Sequence, residues 1–250
     1  MATNIQWDYS ALAQHYERRA PYAPDIVTAL LAQTGIPAGA HALDIGAGTG
    51  RFSAMLAHAG LTVTAVEPNR AMRAIGIDKT RGLDVSWHDA TGEHTGVAAA
   101  SIALATYGSS LNVLDRGQAL AESARVLSAA GWMACLWNHR DLDDPMQRRV
   151  ETAIRRVLPD YGYGTRREDP SASIEASGYF GVVHYLECRL VHRTSPADFI
   201  AGFRAHATLQ RQAGDRFAEV LAAIAQAVAG GESIGVPFTT RLWYAQRQSA

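Results

Sequence analysis

Leu43-Asp44-Ile45-Gly46-Ala47-Gly48-Thr49-Gly50 is the stretch that decides the fold of this chain. It joins a short apolar run that begins at residue 41 to a segment, residues 51–58, whose apolar side chains recur at helical spacing. Glycine at alternate positions allows backbone dihedrals closed to other residues and removes the Cβ atoms that would keep a ligand off the main chain. The stretch therefore predicts a strand-to-helix turn that holds a nucleotide-like ligand.

The spacing of the glycines narrows the choice of ligand. A dinucleotide-binding turn has its third glycine three places after the second, where this chain has Arg51, and the lysine of a P-loop is also missing. Glu67 ends the next apolar run about 20 residues further on, at the distance where a carboxylate accepts both ribose hydroxyls. Asn69 is predicted to cap the following helix. Met72, on the first turns of that helix, is predicted to lie against an adenine.

Composition excludes several classes of partner. The net charge is −1 and no Lys/Arg-rich run occurs, which argues against a nucleic-acid partner. No apolar run approaches the length of a membrane span, and the N-terminus lacks the basic start and apolar stretch of a signal peptide. The two cysteines form no metal or redox pattern, and His184, His192 and His206 have no metal-ligand spacing, so we expect no metal, core thiols and a cytoplasmic location.

Strands and helices are predicted to alternate through the first half of the chain. Strands are predicted at residues 41–45, 62–67, 83–88, 101–107, 132–137, 182–191 and 236–246. Helices are predicted at residues 10–19, 25–33, 51–58, 117–127, 146–158, 171–177, 196–212 and 216–229, with one more after Asn69. This order predicts an α/β fold, a parallel sheet covered on both faces with the ligand at the carboxyl ends of its strands.

The length and the 48% hydrophobic content predict one domain, spanning residues 1–250. Residues 1–36 are expected to form N-terminal lid helices, and residues 37–138 a cofactor-binding core. Residues 139–250 are expected to supply a helical substrate cap and the final strands.

The motif Asp-x-Gly-x-Gly-x-Gly resembles the first motif of class I S-adenosylmethionine-dependent methyltransferases. The similarity extends over nearly the whole chain to the trans-aconitate methyltransferase-like subgroup. It is carried by residues 9–18, 65–69, 124–127 with Gly131, and 136–138. The resemblance implies a seven-stranded, mostly parallel, doubly wound sheet of the Rossmann-like methyltransferase type, with an antiparallel last strand. It also implies S-adenosyl-L-methionine as cofactor and S-adenosyl-L-homocysteine as product.

The resemblance carries family roles to matching positions of this chain. The third strand ends at Asp89, which would bind the adenine amino group, and the backbone amide of Ala90 would bind a ring nitrogen. The complete set of expected cofactor contacts is Tyr16, Asp44, Gly46, Ala47, Gly48, Gly50, Glu67, Pro68, Met72, Asp89, Ala90, Tyr107 and Gly108.

One segment departs from the subgroup. Where its members have Gln-Ala-Phe-His-Trp-Phe-Asp after the fourth strand, this chain has Ser-Ser-Leu-Asn-Val-Leu-Asp at residues 109–115. In the family this loop faces the transferring methyl, so the substrate is in doubt although the fold is not. The expected acceptor contacts are Tyr9, Ser109, Ser110, Asn112, Asn138 and His139, and the expected catalytic residues are His139, Tyr107 and Asn112.

The leading prediction is a methyltransferase that acts on a nitrogen, oxygen or carbon of a small-molecule acceptor, with secondary metabolism as one setting. Two other enzymes stay open: one that cleaves or cyclises the same cofactor, and a nicotinamide-dependent oxidoreductase, suggested by the glycine turn and Glu67. A non-enzymatic binding module is a third alternative. The expected partner is the small acceptor, with no nucleic acid or membrane, and the protein is expected to be a monomer or homodimer.

Overall fold

The structure is a computed structural model that describes residues 13–248, apart from the side chains of residues 14, 165 and 166. Its strands are β1 (His41–Ile45), β2 (Thr62–Val66), β3 (Val85–His88), β4 (Ile102–Gly108), β5 (Leu127–Arg140), β6 (His184–Thr194) and β7 (Ile234–Gln246). Its helices are α1 (Ala13–Tyr16), α2 (Ile26–Thr34), α3 (Arg51–His58), α4 (Arg70–Lys79), α5 (Arg116–Val126), α6 (Pro145–Val157), α7 (Ser171–Glu175), α8 (Pro196–Arg204), α9 (Ala207–Ala213) and α10 (Phe217–Ala227). Short 3-10 turns lie at Gly164–Arg167 and Gly214–Arg216.

The strands form one seven-stranded sheet in the order β3-β2-β1-β4-β5-β7-β6. Only β7 runs antiparallel to its neighbours β5 and β6. This confirms the predicted α/β fold, a mostly parallel doubly wound sheet of the Rossmann-like methyltransferase type. The strand order reverses between β1 and β4, so the glycine turn after β1 lies at the switch point where such sheets bind ligands.

Because successive side chains of a strand point to opposite faces, each strand contributes to an apolar cluster on each face of the sheet. On β1, Leu43 and Ile45 join the apolar cluster that includes α5, whereas Ala42 joins the cluster that includes α2 and α3. A third cluster, built by α6, α8, α9 and α10, has Ile154 and Leu209 at its centre, both inaccessible to solvent. This third cluster gives the helical cap a core of its own.

Several predicted boundaries differ from the structure, and two of the differences lie beside the cavity. Strand β5 continues to Arg140 instead of ending at residue 137, because it pairs with β7 along its whole second half, up to the pair of Arg140 with Phe238. The helix predicted at residues 196–212 is divided into α8 and α9, because His206 interrupts it and its Nδ1 accepts a hydrogen bond from Leu209 N. The first difference decides on which face of the sheet residues 138–140 lie, and the second gives the cap two helices where one was predicted. No helix within residues 13–248 is long and apolar enough to cross a membrane.

The predicted core thiols are only partly confirmed. Cys135, on β5, is fully buried, whereas Cys188, on the edge strand β6, is half-buried. Burial raises the pKa of both thiols, so both are protonated at neutral pH.

Candidate functional site

The three glycines of the turn have positive φ angles of 68°, 57° and 72° at Gly46, Gly48 and Gly50, a region that favours glycine. Two of them are also required by packing. A Cβ on Gly46 would lie 2.6 Å from the Cβ of Ser110, and one on Gly50 would lie 2.9 Å from the ring of Trp87. A Cβ on Gly48 would meet nothing within 4 Å, so this is the position where a ligand can approach the backbone.

Asp44 is the acidic residue of the turn. It is 1% exposed, and its two carboxylate oxygens accept hydrogen bonds from Ser53 Oγ at 2.6 Å and Thr106 Oγ1 at 3.0 Å. Burial raises the pKa of Asp44 to about 6, although both hydroxyls oppose the rise. The carboxylate lines a cavity that extends from the glycine turn towards the cap, so it can meet a cationic group of a ligand.

The cavity is also lined by Gly46, Ala47 and Gly48 of the turn and by Gly108, at the end of β4. These residues were all predicted as cofactor contacts. Gly50 lies outside the lining among the described residues, because its backbone packs on Trp87.

The predicted adenosine contacts lie on a neighbouring part of the molecule. Glu67 is buried, and its carboxylate accepts hydrogen bonds from the amides of Gly48 at 2.9 Å and Asn69 at 2.8 Å. Burial raises the pKa of Glu67. Its two oxygens therefore tie the glycine turn to the start of α4, where the side chain of Asn69 caps the helix as predicted.

The third-strand aspartate is also engaged in the described structure. Asp89 forms an ion pair with Arg73 at 2.6 Å, and its side chain remains 68% exposed. Met72 is buried, Pro68 is exposed and Ala90 packs against the core. None of these residues, nor Glu67, belongs to the described lining of the cavity, and their contact with adenosine stays a prediction.

The segment after α1, with Tyr16, covers the cavity from the N-terminal side. Glu17 accepts a hydrogen bond from Thr49 Oγ1 at 2.6 Å and pairs with Lys79, so it joins the segment to the glycine turn and to α4. Arg51 Nη2 donates to the carbonyl of Arg19 at 2.8 Å. Residues 16–22, called the lid segment below, are therefore fastened to the turn. Tyr9, a predicted acceptor contact, lies outside the described residues.

The loop after β4 contributes less to the cavity than predicted. Ser109 lines it, and its Oγ shares a hydrogen bond of 2.8 Å with the hydroxyl of Tyr22. Ser110 is turned inward, because its hydroxyl donates to the carbonyl of Ile45. Asn112 is turned towards Trp137, whose indole N–H donates to its Oδ1 at 2.9 Å. Ser110 and Asn112 therefore hold the loop in place and lie outside the described lining of the cavity, and their expected roles as acceptor contacts, with Asn112 also catalytic, stay predictions.

Tyr107 lies away from the cavity, and its expected cofactor and catalytic roles stay predictions. Its side chain is fully buried, and its hydroxyl donates to the carbonyl of Ala119 at 2.8 Å and shares a hydrogen bond with Ser123. The residue lies on the face of β4 that packs against α5, so it contacts neither the cavity nor a reacting group.

His139 points away from the cavity because β5 continues through it. Asn138 and Arg140 line the cavity, and since successive side chains of a strand point to opposite faces, His139 lies on the other face. There it is 5% exposed, with its ring centre 6.4 Å from that of Trp243. The structure therefore places His139 on the face opposite the cavity, and its expected catalytic and acceptor roles stay predictions.

Asn138 lines the cavity as predicted, but its amide is committed to the lid segment. Its Nδ2 donates to the carbonyls of Ala20 at 3.2 Å and Pro21 at 2.6 Å, and its Oδ1 accepts from Thr240 Oγ1 at 2.6 Å. Asn138 is best described as a positioning residue for the lid segment.

The cavity has further walls that sequence reasoning missed. They are Arg18, Arg19, Arg51, Phe52, Arg140, Arg167, His192, Phe199, Phe203, His206 and Phe238. Two of the three histidines interpreted as structural, His192 and His206, are among them. The alternating burial of β6 was a usable signal for His192, whereas nothing local marks Arg167, which reaches the cavity from a 3-10 turn. Within residues 13–248, no group of three or more His, Cys, Asp or Glu side chains is arranged to hold a metal ion.

Comparison with known proteins was made against a family model and against curated sequences. Residues 43–135 match the family model described as a methyltransferase domain. An uncharacterized methyltransferase of Mycobacterium tuberculosis is 34% identical over 131 residues, which make up 50% of this chain and 50% of that protein. The chain thus spans about half the length of the curated relatives that it matches at this identity.

Solved structures share the fold. A protein from Anaeromyxobacter dehalogenans, provisionally assigned as a type II methyltransferase, has a TM-score of 0.61 and 22% identity, over 92% of this chain and 97% of that chain. Phosphoethanolamine N-methyltransferase 2 of Haemonchus contortus, solved with phosphomonomethylethanolamine and S-adenosylhomocysteine, has a TM-score of 0.57 and 14% identity, over 96% of this chain and 58% of that chain. These likenesses do not single out the trans-aconitate subgroup.

Proposed function

We propose that this protein is a class I S-adenosylmethionine-dependent methyltransferase that transfers a methyl group to a nitrogen, oxygen or carbon of a small-molecule acceptor, and the match of residues 43–135 to a methyltransferase domain supports this. The methyl leaves a sulfonium sulfur, which keeps the electron pair of the broken bond, and the acceptor atom supplies the new pair. Secondary metabolism and a cytoplasmic location belong to the same proposal. So does the absence of a nucleic-acid or membrane partner, together with a monomeric or homodimeric state.

The proposal rests on two residues that line the same part of the cavity, Gly48 and Asp44. A Cβ at Gly48 would enter open space, and the buried carboxylate of Asp44 lines the cavity beside it. S-adenosylmethionine has an ammonium group and a polar main-chain-like end, which suit a carboxylate next to bare backbone. The residues present therefore fit the amino acid part of this cofactor, with Tyr16, Ala47 and Gly108 around it.

When bound, S-adenosylmethionine supplies the activated methyl group. The protein's part is to hold acceptor and methyl in line and to exclude water, and alignment of this kind accounts for several kcal/mol of a barrier. The lid segment supports this role because it is held in place at two points. Its Glu17 accepts a hydrogen bond from Thr49, and Asn138 donates to its carbonyls.

A proton must leave if the acceptor is protonated at working pH. His192 lines the cavity, and its pKa is lowered by burial and by the charge of Arg51, which keeps the imidazole neutral near pH 7. We assign it the role of base for such acceptors in place of His139 and Tyr107. Burial raises the pKa of Tyr22, which also lines the cavity, to about 12, so its phenol keeps its proton.

Calorimetric titration with S-adenosylhomocysteine and with NAD tests the cofactor assignment. We expect binding of the first and none of the second, and binding of NAD alone would favour the oxidoreductase. Incubation with S-adenosylmethionine alone, followed by mass spectrometry, tests the reaction. Rapid acceptor-independent consumption of the cofactor would refute methyl transfer in favour of cleavage or cyclisation.

A further inference from the structure

The charge on the cavity wall is unbalanced. Among the described lining residues, Asp44 carries the only carboxylate, whereas five arginines line the cavity. Three of them, Arg18, Arg19 and Arg51, come from the lid segment and the start of α3, and the other two come from the cap side.

The three arginines on the lid side are occupied in holding the lid segment. Arg18 pairs with Asp198 at 2.8 Å, and the guanidinium of Arg19 lies 4.7 Å from the ring centre of Tyr16. Arg51 donates to backbone carbonyls of the lid segment. All three arginines therefore stabilise the lid segment close to the glycine turn.

Arg140 and Arg167 form an adjacent pair at the cap end of the cavity. Arg167 Nη2 donates to the carbonyl of Arg140 at 2.8 Å. The side chain of Arg140 is only 10% exposed, and its Nε donates to Gln147 Oε1 at 2.8 Å. Burial lowers the pKa of Arg167, which is the sign of a cation held partly out of water. The guanidinium of Arg167 thus lies against the backbone of Arg140, whose own guanidinium is held by Gln147, and both arginines line the same poorly solvated wall.

One described carboxylate near this pair, Glu151, cannot balance it alone. It lies 3.5 Å from Arg140, but it also pairs with Arg155 at 2.9 Å and accepts a hydrogen bond from the hydroxyl of Tyr163. A buried charge is costly unless it is paired, so this wall is arranged to receive a further anion. The planar fork of a guanidinium matches a carboxylate with two parallel hydrogen bonds.

The walls beside the arginine pair are aromatic. Phe199, Phe203, Phe238 and Tyr163 line this end of the cavity. The guanidinium of Arg140 lies 5.6 Å from the ring centre of Phe203, and that of Arg167 lies 4.2 Å from the ring centre of Tyr163. An acceptor with an apolar or aromatic body fits between these faces.

We propose that the acceptor is a small organic acid with an aromatic or otherwise apolar body, and that Arg167, with Arg140 adding positive charge beside it, binds its carboxylate. This deepens the proposed function and rests on it for the methylation itself. The carboxylate anchors the acceptor at the cap end, and a different atom of the acceptor faces the glycine turn and receives the methyl group.

The binding test uses 4-hydroxyphenylacetate, its amide and tyramine as probes of equal body and different charge. Each is titrated calorimetrically into the whole protein, with and without S-adenosylhomocysteine. We expect the acid to bind about 10-fold or more tightly than the amide, the range for a charge-assisted bidentate pair, and tyramine not to bind.

The variant test uses Arg167→Gln, because Arg140 also supports the fold through Gln147. We expect R167Q to reduce binding of the acid to the level of the amide, with binding of the amide and of S-adenosylhomocysteine unchanged. The matched control is Arg189→Gln, an exposed arginine of β6, which should leave all affinities as they are. Thermal melting of each variant verifies folding.

Equal binding of acid and amide overturns the inference, as does no detectable binding of either or a preference for tyramine. If R167Q weakens S-adenosylhomocysteine as much as the acid, the arginine pair belongs to the cofactor and the inference is also overturned. Absence of S-adenosylhomocysteine binding to the unaltered protein refutes the proposed function. In that case the preference for the acid, measured without this ligand, still decides whether the anion subsite exists.

Discussion

Asp44→Asn is expected to make the free protein more stable at neutral pH and to weaken its binding of S-adenosylhomocysteine. Burial raises the pKa of Asp44 from 3.8 to about 6 in the folded protein. Because the folded state then holds this proton more tightly than the unfolded state, the free energy of unfolding falls as pH rises from about 4 to about 6. The difference between the two pKa values corresponds to about 3 kcal/mol of instability above that range.

The increase in unfolding free energy expected for D44N is smaller than about 3 kcal/mol. The asparagine side chain has one acceptor oxygen, whereas Asp44 accepts from both Ser53 and Thr106, so one hydroxyl loses its partner at a cost of about 1 kcal/mol. We expect D44N to be about 2 kcal/mol more stable than the unaltered protein at pH 7.5 and to show no gain at pH 4. S-adenosylhomocysteine should bind about 10-fold or more weakly, since its ammonium loses an ionic partner.

Urea unfolding at the two pH values measures the first effect, and calorimetric titration measures the second. Asp215→Asn, an exposed aspartate of the second 3-10 turn, is the control and should show neither effect. A D44N protein that gains nothing at pH 7.5, or gains equally at pH 4, would refute the argument from burial. Unchanged affinity for S-adenosylhomocysteine would remove Asp44 from the cofactor site.

Three other substitutions separate ligand contacts from packing. Gly48→Val and Gly50→Ala should both lower the melting temperature, because both glycines have positive φ, and Gly50→Ala adds an overlap of its Cβ with Trp87. Only Gly48→Val should abolish binding of S-adenosylhomocysteine in protein that thermal melting shows to be folded; calorimetry measures this, and retained binding in G48V would show that the site is misplaced. Tyr107→Phe should cost about 1 kcal/mol of unfolding free energy and leave ligand affinity unchanged, as checked by urea unfolding and titration, and a drop in affinity would restore its cofactor role. Glu17→Ala should raise the dissociation rate of S-adenosylhomocysteine, measured by stopped flow, because the lid segment loses its hydrogen bond to the turn, and an unchanged rate would contradict this.

The fold could be predicted from the sequence, as could the glycine turn that lines the cavity, because both depend on short-range patterns. Gly46 packs against Ser110 of the loop after β4, Gly50 packs against Trp87 of β3, and Gly48 faces open space, so each glycine of the motif has a structural reason. The capping of α4 by Asn69 is equally local. Such features need only a few consecutive residues to be recognised.

The proposed acceptor end of the cavity is formed by residues that are far apart in the sequence. No local sequence pattern records that these residues meet. His139 was placed in the site because β5 was expected to end two residues before it, and the pairing with β7 continues the strand and turns the residue to the opposite face. Arg167 reaches Arg140 from 27 residues away, through a hydrogen bond to a backbone carbonyl that has no sequence signature. The residues proposed to bind the acceptor are therefore the ones least visible in the sequence.

The lid segment connects the two halves of the site. On one side Glu17 holds it to Thr49 of the glycine turn, and on the other Arg18 holds it to Asp198 of the cap. A Cβ on Gly202 of α8 would lie 2.8 Å from the carbonyl of Arg18, so cap and lid meet at backbone contact with no side chain between them. Because the same short segment covers both the turn and the cap, any displacement that admits an acceptor also loosens the wall of the cofactor site. The cofactor and acceptor halves are thus closed by one structure, although only one of them is written in a recognisable motif.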